Sequence, residues 1–398
     1  MPNLNVNIGR RSGADIVGLD IQPGFVAAVQ ARVNGSIMAE HAATLPLPAD
    51  TVRDGEVMDQ DALGETLREL FAGSGLGKRV RVGIANQRTV LRTLELPPVT
   101  DHKELAAAVR FQAQEQVPMP LSNAVLDFHP LGIVDTPAGP RQRVVLVAAQ
   151  RDMVERLLQA VRQAGLNAEG VDLSAFALIR SLYRPDADQV GRILYLNVDG
   201  LTNLAIAEGP ICRFTRVVGS GLEGMAVELA ERRSIPLVDA RELLAAVDLR
   251  APAHAEEPVE APDPQAEGEE PVAADVEPAD EQDMSYEELT AVEAPASADS
   301  GSDADVLSVV ESGIRDISGE VRNSLDFHRS QEGGGEVSHV VLSGSVQDIP
   351  GFAEALESAL GVPVHSQDIG VTDASLSNTV ATHRLAVATG LAATEVPQ

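Results

Sequence analysis

Asp20 ends the apolar strand pattern VGLDI (Val17–Ile21) and precedes the turn Gln22-Pro23-Gly24. A carboxylate at a strand end beside a glycine turn is where some folds hold a metal-bound nucleotide, with backbone N–H groups taking the phosphates. GSGLGK (Gly73–Lys78) resembles the end of a phosphate loop. Arg79 replaces its magnesium-holding Ser or Thr, however, and the stretch runs helix to strand instead of strand to helix, so it reads as a turn. GSGLEG (Gly219–Gly224) fits GxGxxG between a strand and a helix, with Asp239 downstream. The strand before it is the return arm of an antiparallel hairpin, so the expectation is a tight turn, not a dinucleotide fold; its amides could still face a ligand. The histidines are scattered without ligand spacing and Cys212 has no Cys or His nearby. No metal site, catalytic triad or catalytic residue is assigned.

The elements that must position these residues alternate between strand and helix. RVRVGIA (Arg79–Ala85) and RVVLVAA (Arg143–Ala149) read as short buried strands. ELAAAVRFQAQEQV places Leu105, Val109, Ala113 and Val117 on one helical face, with Asp101 and Glu104 as a capping box. DMVERLLQAVRQAG has a stripe of Met153, Val154, Leu157, Leu158 and Val161, a capping pair at Asp152 and Glu155, and Gly165 as its C-terminal cap. A second hairpin (Ile193–Val218) leads into a helix at Leu222–Arg233. Later come a long helix through Val306–Leu325, a strand at Val337–Leu342, a helix at Pro350–Leu360 and a last apolar helix at Arg384–Ala393. Each half therefore opens with a β-hairpin whose first strand ends in Asp or Asn, and each continues into helices.

Composition narrows the function classes. The 398 residues suffice for two or more domains, and with few aromatics and no Trp their cores must be Val, Leu, Ile and Ala. A net charge of -30 argues against nucleic acid and against adsorption on an anionic membrane. One cysteine excludes an internal disulfide framework and suggests a reducing compartment. No signal-peptide pattern opens the sequence and no window approaches a membrane span, so a cytoplasmic location without direct membrane insertion is expected. Residues 251–305 stand apart, with 18 acidic residues, 7 prolines and no Lys or Arg. They carry more than half of the net charge and read as a disordered acidic insertion.

Taken in order, longer stretches resemble the PilM family of type IV pilus assembly proteins, an actin-like family related to FtsA. They include VGLDI, DGEVMDQDAL (Asp54–Leu63), LELPPVTDHKELAAAVRFQAQEQVPMP (Leu94–Pro120) and RVVLVAAQRDMVERLLQAVRQAGL. The later ones are VDLSAFALIRSL, RFTRVVGSGLEGMAVELAERRSI, VRNSLDFHRS and VVLSGSVQDIPGFAEALESALGVPV. The resemblance implies an α/β actin-like ATPase fold of two lobes, each with a ribonuclease-H-like mixed sheet, plus an FtsA-like extra subdomain. The boundaries it implies are 13–96 for the first lobe, completed by 371–398, and 97–182 for the extra subdomain. The second lobe takes 190–250 and 306–370, with the acidic insertion at 251–305 between them.

The same resemblance locates a nucleotide cleft at Asp20, Asn197, Asp199, Gly200, Thr202, Gly219, Gly221, Ser343 and Gly344. Its chemistry departs from the family pattern. Gln22 and Pro23 replace Gly-Ser in the first phosphate turn; Pro23 has no N–H to donate, and Ala27 stands near the expected basic residue. In the second turn Asp199 replaces a glycine, where it would oppose a phosphate by about 4 kcal/mol at 4 Å. The expected A-E-x-x-K becomes Ala240-Arg241-Glu242-Leu243-Leu244, without its lysine, and Ser345 replaces a second glycine after Ser343-Gly344. Little or no ATP binding is the expectation.

The implied function is a cytoplasmic scaffold that binds the cytoplasmic N-terminal peptide of a PilN-like inner-membrane protein and is recruited by it to the membrane's inner face. The peptide would dock between the first lobe and the extra subdomain, along parts of residues 79–131, by main-chain pairing to a strand edge. Motor components of the pilus machine are further candidate partners. Two alternatives stay open. One is an active ATP-binding switch using Mg2+ with Asp20 and Asp199 as metal-side acids. The other is an FtsA-like filament former, which would carry an amphipathic membrane helix that the final EVPQ does not supply.

Overall fold

The computed structural model describes residues 16–34, 36–137, 139–185, 191–250, 300–331, 333–377 and 379–393. The first part of the chain forms β1 (Val17–Gln22), β2 (Phe25–Asn34), β3 (Ser36–Pro46), the short pair β4 (Val52–Arg53) and β5 (Glu56–Val57), α1 (Gln60–Gly73) and β6 (Arg79–Ile84). β7 (Val90–Leu96), α2 (His102–Gln116), β8 (Ala124–Thr136) and β9 (Gly139–Gln150) follow, then α3 (Arg151–Gln163), β10 (Asn167–Leu173) and α4 (Ser174–Leu182).

The second part contains β11 (Arg192–Val198), β12 (Thr202–Glu208), β13 (Ile211–Val218), α5 (Leu222–Arg233), α6 (Leu237–Ala246) and α7 (Ser300–Ser330). It ends with β14 (Val337–Ser343), α8 (Phe352–Leu360), β15 (Val364–Ser366), β16 (Gly370–Val371), α9 (Ala374–Ser377) and α10 (Ala386–Ala392).

Two sheets share one plan. In the first, the antiparallel meander β1-β2-β3 continues on the β1 side into parallel β6 and β10, giving the order β10-β6-β1-β2-β3-β16. In the second, the meander β11-β12-β13 continues on the β11 side into parallel β14 and β15. These are the two expected ribonuclease-H-like sheets. The central strands are covered on both faces, which is why β1 and β11 read as nearly unbroken apolar runs.

The layers follow from which helix carries which apolar stripe. Helices α1 and α3 cover one face of the first sheet through Leu63, Leu67, Met153, Leu157 and Val161. The second sheet is covered on its outer face by α5, α7 and α8. Between the sheets, α4 and α10 build a core common to both, where Leu178 and Leu391 meet Val29 on one side and Tyr195 and Ala205 on the other. The close fit needs a residue without a side chain: a Cβ on Gly18 of β1 would lie 1.9 Å from the Ala388 carbonyl of α10. Buried Arg81 of β6 secures the end of α10 by donating to the carbonyls of Leu391 and Ala393, each at 2.9 Å.

The extra subdomain is the sheet β7-β9-β8 with α2 packed on one face through Leu105, Val109 and Ala113. Its limits differ from those expected at 97 and 182. β7 begins at Val90 and pairs along its length with β9. Residues from Arg151 onward return to the first lobe, because the α3 stripe packs on α1 and β10 pairs with β6. At the other boundary α7 already begins at Ser300, so residues 300–305 are helical and not part of an irregular insertion; the remainder, 251–299, lies outside the described residues.

Local signals fared unevenly. Asp101 caps α2 by accepting from the N–H groups of Lys103 and Glu104 at 2.8 and 3.0 Å. The capping pair at Asp152 and Glu155 is not made. β9 runs straight into α3, so Asp152 already lies in the first turn and pairs with Arg156 at 3.2 Å.

Candidate functional site

The ends of β1, β11 and β14 bring together the residues that the sequence singled out. Asp20 and Asp199 are each 1% exposed. Gln22 donates its amide to both oxygens of Asp20 at 3.2 Å. Burial, with the carboxylate of Asp199 next in effect, pushes the Asp20 pKa up to about 7. Burial also raises that of Asp199, although its carboxylate is well supplied with donors. The Ser345 N–H and hydroxyl reach Oδ1 at 2.7 and 2.6 Å, and Asn197 Nδ2 reaches Oδ2 at 2.7 Å. Asn197 Oδ1 in turn accepts from the Ser343 hydroxyl at 2.8 Å. Gly344, at φ +97°, passes so close to Val198 that a Cβ would lie 2.4 Å from its carbonyl oxygen.

The two turns touch. A Cβ on Gly200 would stand 2.3 Å from the Pro23 carbonyl oxygen and 2.9 Å from its Cβ. Gly221 packs against the carbonyls of Gly200 and Asp199, and the Leu222 N–H at the start of α5 donates to the Asp199 carbonyl at 2.8 Å. GSGLEG is therefore a turn fitted to the second hairpin. Thr202 directs its hydroxyl to the Ser220 carbonyl, and Gly219 faces Asp54 and Gln87 of the first lobe instead of the cleft.

Beside these turns lies a cleft of about 430 Å³, lined by Pro23, Phe25, Leu222, Val238, Leu244 and Ile349 among others. Sequence reasoning met Arg241 and Glu242 only as an altered motif and missed Glu223, Asp348 and Arg384. Arg241 lines it but donates twice to Glu223, at 3.0 and 2.6 Å. Arg384 stands 6.0 Å from the Phe25 ring centre and donates twice to Asp348, at 3.1 and 2.5 Å. Both guanidiniums are thus held by carboxylates of the same wall. The missing lysine was legible; an arginine taking its neighbourhood while already paired was not, because the two pairs span 18 and 36 residues.

These residues fit a magnesium triphosphate poorly. The turns that would cradle it lie against each other, Pro23 offers no donor, and the donors around Asp20 and Asp199 come from the chain itself. Among the described residues no group of three or more His, Cys, Asp or Glu could hold a metal ion.

A second feature lies where the first lobe meets the three-stranded sheet. β10 is the edge of the six-stranded sheet and β8 an edge of the three-stranded one. They border a narrow groove of only about 20 Å³ lined by Ile84, Val125, Val147, Val171, Leu173 and Phe176. At its base the buried Asp172 accepts from Arg180 at 2.5 Å, and Arg180 also donates to the Gly390 carbonyl at 3.0 Å. Phe111 is 69% exposed on α2 and does not line the groove.

Residues 18–190 match the family described as type IV pilus assembly protein PilM. Over that segment the chain is similar to the PilM family. Its fold also matches the solved "PilM-PilN type IV pilus biogenesis complex" at a TM-score of 0.70 and 22% identity, covering 95% of this chain and 97% of that one. Weaker likenesses are to an ethanolamine utilization protein EutJ from Carboxydothermus hydrogenoformans (TM-score 0.48, 14% identity, 97% of this chain and 91% of that one covered) and to MreB 5 of Spiroplasma citri bound to AMPPNP (0.47, 11%, 94% and 94%). The fold is the actin-like ATPase fold. Among the described residues, no helix is long and apolar enough to cross a membrane.

Proposed function

We propose that the chain is an actin-like scaffold of the type IV pilus assembly machinery, holding the cytoplasmic N-terminal peptide of a PilN-like inner-membrane protein and recruited by it to the membrane's inner face. The observation that carries this reading is the pair of open sheet edges, β8 and β10, across one apolar groove. An extended peptide adding to either edge gains main-chain hydrogen bonds, while alternate side chains enter the groove. The match to the solved PilM-PilN type IV pilus biogenesis complex supports that choice of partner. Motor components of the machine belong to the same proposal as further partners, and the two lobes, with residues 90–150 as the docking subdomain, are its structural units.

In this reading the cleft between the lobes is a degenerate nucleotide site whose contacts now fix one lobe on the other. A nucleotide-driven switch is the second reading, favoured by one observation: Asp20 and Asp199 are buried together, and the repulsion between them would be relieved by a cation.

Calorimetric titration of the full chain with synthetic N-terminal peptides of PilN-like proteins tests the first reading. Saturable binding is expected with no nucleotide present, and no binding at either low or physiological salt would refute it. A titration with Mg-ATP is expected to give no saturation in the micromolar range; saturation there would favour the switch.

A further inference from the structure

Another cleft, of about 620 Å³, separates the three-stranded sheet from the second lobe. Its walls hold four arginines, Arg92 and Arg143 from the subdomain and Arg192 and Arg213 from the lobe, against two glutamates, Glu95 and Glu208. The local balance is positive in a chain whose net charge is -30. Pairing inside the cleft leaves cationic charge over. Glu95 serves Arg143 at 3.0 Å, while the single oxygen Oε2 of Glu208 is shared by Arg213 at 3.2 Å and Arg192 at 3.7 Å. Arg92 is exposed and donates to the Leu91 carbonyl at 2.9 Å; it has no carboxylate partner among the described residues.

The chain also carries the complementary charge. Residues 251–299 contain sixteen Asp and Glu and no Lys or Arg. They leave the fold after Arg250 and re-enter it at the start of α7, whose other end, at His328, forms part of the cleft wall together with Gln331 just beyond it. α7 has 31 residues, a length of about 46 Å at 1.5 Å per residue. Forty-nine residues span up to ~160 Å when extended, enough to run the length of α7 and back. Covalent attachment gives the segment an effective concentration that a free acidic peptide would rarely match.

We propose that the acidic segment 251–299 docks its carboxylates on the arginines of this cleft, bridging the subdomain and the second lobe. Carboxylates pair with guanidinium groups by forked, charge-assisted hydrogen bonds, and the shortfall of acid in the cleft leaves Arg92 and one of the two cations at Glu208 to receive them. Exposed partners of this kind are screened by salt, so the contact weakens as ionic strength rises.

Arginine footprinting on the full chain tests the proposal. Phenylglyoxal modification of each arginine is followed by peptide mass spectrometry, in the wild type and in a full-length variant with every Asp and Glu of 251–299 changed to Asn or Gln. At low salt Arg92 and Arg213 are expected to react several-fold more slowly in the wild type, with the difference lost at high salt. Exposed Arg68 and Arg110, outside the cleft, serve as controls and are expected to react alike in both. Equal rates at Arg92 and Arg213 in the two proteins would overturn the proposal. So would protection that arises only on adding inorganic phosphate, which would assign the cleft to a small anion.

Discussion

The Pro23 carbonyl rests directly on Gly200, so the first hairpin turn of one lobe is seated on the first hairpin turn of the other. A phosphate loop needs open N–H groups at this position; here one turn has given up a donor and the space between them is filled by main chain. The contact makes the lobes one unit. Gly200→Ala would force a methyl group into the Pro23 backbone, and over-packing of this kind costs about 1–3 kcal/mol. Urea denaturation should show a lower midpoint, with faster proteolysis between the lobes. An unchanged midpoint would mean that the turns part freely.

Asp20 makes stability depend on pH in an unusual direction. Its native pKa of about 7 lies above the ordinary aspartate value of 3.8, so the native state binds the proton more tightly than the unfolded chain. This contribution is fully present below the unfolded pKa, fades as pH rises from about 4 to 7, and is gone above 7. Asp20→Asn should therefore stabilise the protein at pH 8, by an amount on the order of 4 kcal/mol at most, and the gain should shrink toward pH 4. Melting temperatures of both proteins across that range check it; a gain independent of pH would locate the effect elsewhere.

Asp172 and Arg180 form a buried pair that ties β10 and α4 to α10 through the Gly390 carbonyl. Asp172→Ala would leave a guanidinium without its anion, a loss of about 3–5 kcal/mol. Chemical denaturation should report it. The double variant Asp172→Ala, Arg180→Met should recover much of the loss, because the uncompensated charge is then gone.

Phe176 belongs to the groove wall and Phe111 to the outer surface of α2. If the groove holds the partner peptide, Phe176→Ala should weaken peptide binding by about tenfold or more, in the range of an aromatic anchor. Phe111→Ala should leave it unchanged. Fluorescence anisotropy with a labelled peptide separates the two, and equal effects would move the docking surface to α2.

How much of this was legible in the sequence depended on the distance between interacting residues. The repeated hairpins at Val17–Asn34 and Arg192–Glu208 showed themselves through local alternation and turn residues, as did Asp101 as a cap. The pattern of Asp20, Asn197 and Gly344 identified the cleft because it follows a resemblance in order along the chain. Contacts across long separations left no local trace. Ser345 reaches Asp199 across 146 residues, and β7 leaves the first lobe to pair with β9 although nothing in its own seven residues says so. Asp152 misled because a strand that runs directly into a helix shifts the first turn by two residues, moving a good capping side chain inside it.

The position of α10 bears on how the protein is made. It lies beneath β1, where Gly18 admits it, and Arg81 grips its last carbonyls. On the ribosome β1 must therefore wait for the much later α10 before its underside is covered. During synthesis the second lobe can finish around its own outer helices while the first still shows bare apolar sheet to solvent. Birth order and completion order are thus reversed, and a nascent chain stalled before Leu391 would be a substrate for chaperones at its beginning, not at its end.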